Sequence, residues 1–196
     1  MVVTAEMVQK LRKKTGAGIM DCKKALTTSG GDFDKAVRLL REQGISVASK
    51  RTGRITKEGI IASYIHPGSK LGVLIEINCE TDFVARTEEF QGFVKNIAMQ
   101  IAAANPLVIK KEDISAEIVE KEKQIYEKQA EGKPERAVQR IIDGRLEKFF
   151  QEVCLLEQPF IKDPNTFVND LLTQTIANVG ENISIKRFVR YRLGEE

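Results

Sequence analysis

The sequence has few of the side chains on which metal sites and most catalytic centres depend. It contains one histidine, His66, and three cysteines in 196 residues. Cys22, Cys79 and Cys154 lie far apart and form no Cys-x-x-Cys pair, so the sequence groups no zinc ligands. Separated cysteines in odd number are typical of buried thiols in a reducing compartment. We therefore expect a cytoplasmic protein with no metal and no cofactor.

Long apolar runs and an excess of one charge are also missing. No stretch approaches the roughly 20 apolar residues that span a bilayer, and the first six residues lack the basic and apolar regions of a secretory signal. We therefore expect neither a membrane span nor secretion. The 31 basic and 28 acidic residues leave a net charge of only +3. This charge is too balanced to predict a nucleic-acid binder, so we predict no direct nucleic-acid site.

Residues 1–44 have the apolar spacing of three short helices. On the second helix the shared apolar face carries Ile19, Cys22 and Leu26. Glycine-containing breaks separate the helices, and Gly44 is expected to end the third. Residues 45–58 lose this periodicity and are basic, which indicates a linker. The sequence thus predicts a small three-helix domain over 1–44, followed by a linker.

From residue 59 the apolar pattern changes to period two. Two strands separated by a turn at 67–70 are predicted to form a hairpin. The buried face of the second strand is expected to carry Leu71, Val73, Ile75, Ile77 and Cys79.

The rest of the chain completes a second domain over 59–196. Two charged helices over 115–150 are predicted to form an antiparallel hairpin or short coiled coil. A helix over 166–179 and a strand over 183–193 follow. We predict an α+β fold with a three-stranded, mainly antiparallel sheet.

Residues 79–85 join the second strand to the next helix, and their pattern has two interpretations. In the first, Thr81 or Asp82 caps a helix and Phe83 belongs to the core. In the second, Asp82 and Phe83 form an acidic and aromatic wedge that enters another protein. The local pattern leaves both interpretations open.

The remaining candidates form no catalytic group, so we expect no enzyme. His66 stands before a turn, either as a half-exposed residue or as a base or partner contact. Cys22 has the spacing of a core residue. Met20 lies off the apolar face beside two lysines, either solvated or in contact with a partner.

Four separated segments resemble signatures of the translation elongation factor Ts family. In chain order they are LRKKTGAGIMDCKKAL at 11–26, NCETDFVAR at 78–86, GRLEKF at 144–149 with QPF at 158–160, and GENI at 180–183. The similarity covers almost the whole chain. It implies an N-terminal domain similar to a ubiquitin-associated domain.

The resemblance also implies a function. Members of this family act as guanine-nucleotide exchange factors for the GTPase elongation factor Tu, and an Asp-Phe wedge enters near the Mg²⁺ side of its nucleotide pocket. The implied partner contacts are Arg12, Ile19, Met20, Lys23, His66, Thr81, Asp82, Phe83, Val84 and Ala85.

The chain also departs from the longer members of the family. Those members duplicate the strand-and-helix unit, whereas this chain has one, so we expect a homodimer. A rival interpretation is a ubiquitin-associated-type module that binds nascent chains or RNA. A hydrolase or redox protein using Cys79 is a weaker rival, because no base lies nearby in sequence.

Overall fold

The computed structural model describes residues 3–195 and has an α+β architecture. Within these residues the helices are α1 Ala5–Thr15, α2 Ile19–Thr28, α3 Phe33–Arg51, α4 Asp82–Ala85, α5 Glu88–Ala104, α6 Ala116–Gln129, α7 Glu135–Val153 and α8 Val168–Val179. Short 3₁₀ turns occupy Lys111–Asp113 and Leu155–Glu157. The outer ends of the two predicted domains, Met1, Val2 and Glu196, lie outside the described residues.

The predicted three-stranded sheet is confirmed. Its strands are β1 Glu58–Ile65, β2 Leu71–Cys79 and β5 Ile183–Arg192, in the antiparallel order β1-β2-β5. The His66 N–H donates to the Leu71 carbonyl at 2.9 Å and closes the predicted turn. A separate two-stranded ribbon pairs β3 Pro159–Phe160 with β4 Asp163–Phe167. The predicted face of the central strand β2 carries the buried residues Val73, Ile75, Ile77 and Cys79.

The chain divides into two compact units, each made of three segments. Unit 1 contains the chain up to Ile60, Ile77–Val94 and Asp170–Lys186. Unit 2 contains Ile61–Glu76, Lys95–Asn169 and the chain from Arg187 onward. The sequence-based domains 1–44 and 59–196 stay a prediction of which parts fold independently.

The three N-terminal helices of unit 1 enclose a small core. Thr4 begins α1 by accepting the Met7 N–H on its hydroxyl at 3.3 Å, and Gly16 ends the helix with a φ of 70°. The buried residues of this core are Val8, Leu11, Ala17, Cys22, Ala25, Leu26, Ala36 and Leu40. Cys22 is therefore a core residue, as its helical spacing predicted.

Helix α3 is longer than predicted. It continues through Gly44 to Arg51, so the predicted helix end at Gly44 is wrong, and residues 45–51 of the predicted 45–58 linker are helical. Gly44 is buried, and a Cβ atom on it would lie 3.6 Å from the Ala177 Cβ. The glycine therefore permits close packing rather than ending the helix. The helix ends before Gly53, whose φ of 86° suits the residue that follows a helix.

The helix predicted over 166–179 begins two residues late, because its first residues belong to β4 and pair with β3. Buried Gln100 of α5 fixes this ribbon. Its amide N–H donates to the Pro159 carbonyl at 3.2 Å, and its carbonyl accepts the Ile161 N–H at 2.8 Å. These contacts join residues about 60 positions apart, so no local pattern indicates them.

The helical hairpin predicted over 115–150 is confirmed as α6 and α7. The Arg145 guanidinium stacks over the Tyr126 ring, 5.6 Å from its centroid, and so joins the two helices. Ala130, Ile142 and Leu146 are buried. Among residues 3–195, no helix combines the length and apolar composition needed to cross a bilayer.

Gly59 at the start of β1 gives a stability test. Its φ is 142°, and a Cβ atom there would lie 2.2 Å from the Ile77 carbonyl oxygen. We expect Gly59→Ala to lower the free energy of unfolding by about 2 kcal/mol or more, and the melting temperature by about 4–8 °C. Urea and thermal unfolding followed by circular dichroism measure both.

Gly92 in α5 is the matched control. A Cβ atom there meets nothing within 4 Å, so Gly92→Ala should raise the free energy of unfolding by about 0.5–1 kcal/mol. A Gly59→Ala protein as stable as wild type would contradict the close approach of β1 and β2.

Candidate functional site

The turn after β2 is built around Thr81. Its extended backbone, with φ −130° and ψ 151°, begins the short helix α4, and its hydroxyl accepts the Val84 N–H at 3.4 Å. The capping role that the sequence suggested for Thr81 is confirmed. Val84 and Ala85 are buried, so these two predicted contact residues form the base of the turn and not its exposed surface.

Phe83 projects from this base into solvent. Its side chain is 80% exposed, so the interpretation of Phe83 as a core residue is wrong. Leaving a large aromatic side chain in water gives up about 1.5–3 kcal/mol of burial free energy. A contact with another molecule would recover it.

Asp82 lies beside Phe83 and pairs with Arg86 one helical turn later. The carboxylate and guanidinium are 2.5 Å apart, and both side chains are more than half exposed. An exposed pair of this spacing contributes only about 0.3–0.5 kcal/mol. The carboxylate is therefore free to change partner at little cost.

A carboxylate about 100 residues further along the chain also holds this turn. The Glu181 carboxylate accepts the Thr81 N–H at 3.0 Å and the Thr81 hydroxyl at 2.6 Å. Gly180, with a φ of 75°, ends α8 and brings Glu181 to this position. The segment GENI at 180–183 carries family resemblance, but no local pattern in it indicates the contact with Thr81, so the sequence-based prediction missed Glu181.

The residues next to Thr81 and Glu181 make a similar contact, with the donor and acceptor segments exchanged. The Glu80 carboxylate accepts the Asn182 N–H at 2.7 Å, and the Asn182 side-chain amide donates to the Arg54 carbonyl at 2.8 Å. The Arg54 guanidinium lies 3.6 Å from Glu80. Two segments of unit 1 thus exchange side-chain to backbone hydrogen bonds, and we call residues 80–81 with 181–182 the clamp.

The Cys79 thiol supports the same turn. Its Sγ donates to the Thr81 carbonyl at 3.1 Å. Burial raises the pKa of this thiol to about 11, and the negative charge of Glu181 acts in the same direction. The thiol therefore stays protonated at neutral pH, whereas a cysteine nucleophile requires the thiolate.

A second group of predicted contacts lies on the N-terminal helices of unit 1. Ile19 and Met20 are 55% and 72% exposed at the start of α2. Arg12, Ile19 and Lys23 line one shallow depression, together with residues of the first turns of α1. Exposed apolar side chains next to basic groups are typical of a protein contact surface.

His66 belongs to unit 2 and is exposed. Its Nδ1 lies 3.0 Å from the Tyr64 hydroxyl, and the two rings are 6.1 Å apart. Within residues 3–195 no group of three or more His, Cys, Asp or Glu side chains is arranged to hold a metal ion.

Comparisons of this chain with a family model and with individual known proteins all indicate one family. The family model described as Elongation factor TS matches residues 3–195. Elongation factor Ts of Carboxydothermus hydrogenoformans is 57% identical over 196 residues, covering 99% of this chain and 90% of that protein. Elongation factor Ts of Thermodesulfovibrio yellowstonii is 57% identical over 196 residues, covering 100% and 98%. The chain belongs to the elongation factor Ts family.

Proposed function

We propose that this protein is a guanine-nucleotide exchange factor for elongation factor Tu, and that Asp82 and Phe83 are the wedge that loosens bound GDP. Membership of the elongation factor Ts family supports the exchange role. The observation that carries the wedge is an 80% exposed phenylalanine on a hydrogen-bonded turn. An exposed ring on a fixed backbone is suited to insertion.

The wedge acts by distortion and not by chemistry. GTPases hold their nucleotide through phosphate contacts and a Mg²⁺ that bridges phosphate oxygens. The Phe83 ring, entering beside that ion, displaces packed elements of the GTPase and spoils the coordination geometry. Asp82 brings a negative charge to the same place. No bond is made or broken, so the protein needs no catalytic residue.

Burial of the Phe83 ring gives a scale for the effect. About 1.5–3 kcal/mol of burial free energy corresponds to a shift of about 10- to 150-fold in an equilibrium. The coupling is reciprocal: the exchange factor weakens GDP binding by the same factor by which GDP weakens binding of the exchange factor. Entering nucleotide therefore ejects the exchange factor.

The N-terminal helices supply affinity in this proposal. Ile19 and Met20 offer exposed apolar area at the start of α2, and Arg12 and Lys23 line one depression with Ile19. A surface of this kind docks on the GTPase and keeps the wedge at a high local concentration. His66, in unit 2, is a further contact of smaller weight.

Phe83→Ala tests the wedge. We expect it to lower the maximal rate of GDP release from elongation factor Tu by at least about tenfold, because the inserted ring is lost. The melting temperature should stay within about 2 °C of wild type, since the side chain is exposed. Stopped-flow release of fluorescent GDP at saturating exchange factor measures the rate.

Leu107→Ala is the matched control, because Leu107 is another large exposed apolar residue, at 71%. It should leave the release rate unchanged. If Phe83→Ala released GDP as fast as wild type, the wedge proposal would be wrong.

Met20→Ala tests the docking role. We expect the concentration for half-maximal exchange to rise about tenfold while the maximal rate is kept, because a contact remote from the nucleotide adds only affinity. Ile45→Ala is the control, because Ile45 is also an exposed apolar residue but lies on a different helix, α3. A fall in maximal rate at unchanged half-saturation would contradict this division of roles. Deletion of residues 1–44 is a poorer test, because it cuts α3.

We also propose that two copies of the chain pair. Ile65, Leu74 and Tyr191, on strands, and Leu193, in the turn after β5, are exposed in unit 2 and line one groove. Contiguous exposed apolar area of this kind often marks an interface.

Sedimentation velocity at micromolar concentration tests the pairing. We expect a species of twice the 22.0 kDa chain mass, and we expect Tyr191→Asp to return it to the mass of one chain. A wild-type protein that sediments as one chain would overturn the proposal.

A further inference from the structure

The cap of α4 is incomplete in its own sequence. A helix that begins with a Thr often has Glu or Gln three residues later, whose side chain accepts the N–H of the capping Thr. Here that position is Val84, which is buried and has no acceptor on its side chain. The Thr81 N–H must therefore find its acceptor elsewhere in the chain.

Glu181 supplies the missing acceptor from 100 residues away. One carboxylate oxygen accepts the Thr81 N–H at 3.0 Å, and the other accepts the Thr81 hydroxyl at 2.6 Å. Because the Thr81 hydroxyl proton points to Glu181, the lone pairs of the hydroxyl oxygen can accept the Val84 N–H. A single carboxylate thereby orients both polar groups of the residue that starts the helix.

The orientation reaches Phe83 through the backbone. Phe83 lies between Thr81 and Val84 in the chain. Glu181 fixes the Thr81 backbone directly, and it fixes the Val84 N–H through the Thr81 hydroxyl. The Phe83 side chain is 80% exposed, so side-chain packing contributes little to fixing the ring. The direction in which the ring leaves the protein therefore depends on the backbone of residues 81–84.

We propose that Glu181 is a positioning residue for nucleotide exchange, which holds the Phe83 backbone in the conformation that enters the GTPase. The inference rests on the proposed function of Phe83 and adds a residue outside the wedge. Without Glu181 the backbone must be ordered at the moment of insertion. The expected loss is about five- to thirty-fold in maximal exchange rate, the factor that corresponds to fixing the backbone of one residue.

Glu80 is a useful comparison within the same clamp. Its carboxylate accepts the Asn182 N–H and lies near the Arg54 guanidinium, but it makes no hydrogen bond with Thr81. Loss of Glu80 should loosen the two segments without leaving the Thr81 N–H and hydroxyl unpaired. The positioning role therefore predicts a larger kinetic effect at Glu181 than at Glu80.

The experiment measures GDP release from elongation factor Tu over a range of exchange-factor concentrations, for wild type, Glu181→Ala, Glu181→Gln and Glu80→Gln. We expect Glu181→Ala to lower the maximal rate five- to thirty-fold with half-saturation changed less than threefold. Glu181→Gln keeps one acceptor oxygen and should fall between Glu181→Ala and wild type. Glu80→Gln should stay within about threefold of wild type.

Thr81→Val supplies a second line of evidence. It removes the hydroxyl group that donates a hydrogen bond to Glu181, so the effects of Thr81→Val and Glu181→Ala on the maximal rate should not add. Glu157→Gln is the matched control outside the clamp, since Glu157 forms a partly exposed ion pair with Lys111 at 3.0 Å. It should leave the exchange kinetics unchanged.

The outcomes separate the two proposals. If Phe83→Ala slows exchange and Glu181→Ala does not, the positioning role is wrong and the wedge stands. If Phe83→Ala has no effect, the wedge itself is wrong. If Glu181→Ala lowers melting temperature, affinity and maximal rate together and Glu181→Gln restores none of them, Glu181 is only structural and the positioning role is overturned.

Discussion

The turn that carries Phe83 is held in unit 1 by a reciprocal set of hydrogen bonds between residues 80–81 and 181–182. Each segment offers a carboxylate to a backbone N–H of the other. Such charge-assisted bonds are stronger than neutral ones, and here they act where side-chain packing cannot. In the proposed function the Phe83 ring enters another protein, so it must stay in solvent beforehand. Its direction must therefore come from the backbone beneath it.

Much of this architecture is readable from the sequence because it rests on local periodicity. Three N-terminal helices, a strand hairpin and a charged helical hairpin each leave a repeating apolar pattern. The predictions from sequence are wrong where one residue type can have two structural roles. Gly44 looks like a helix end, but it is buried inside α3 against Ala177. Only the tertiary neighbour distinguishes close packing from a helix stop.

The candidate site likewise has a part that the sequence indicates and a part that it does not. Asp82 and Phe83 attract notice in the sequence, because an acid and an aromatic at a strand-to-helix turn are unusual partners. Their local pattern cannot tell whether the ring is buried. Glu181 leaves no local signal, since its role depends on Val84 lacking an acceptor and on a contact across 100 residues. The tip of the proposed wedge therefore has a local signal in the sequence, whereas its support has none.

The distance in sequence between the two halves of the clamp has a consequence for how the protein is made. Contacts between residues 100 positions apart require closure of a long loop and form slowly compared with helices. Glu181 is synthesised 100 residues after Thr81. A growing polypeptide on the ribosome therefore carries Phe83 long before it carries the carboxylate that holds its turn. In the proposed function, the wedge reaches its final geometry only after translation has passed residue 181.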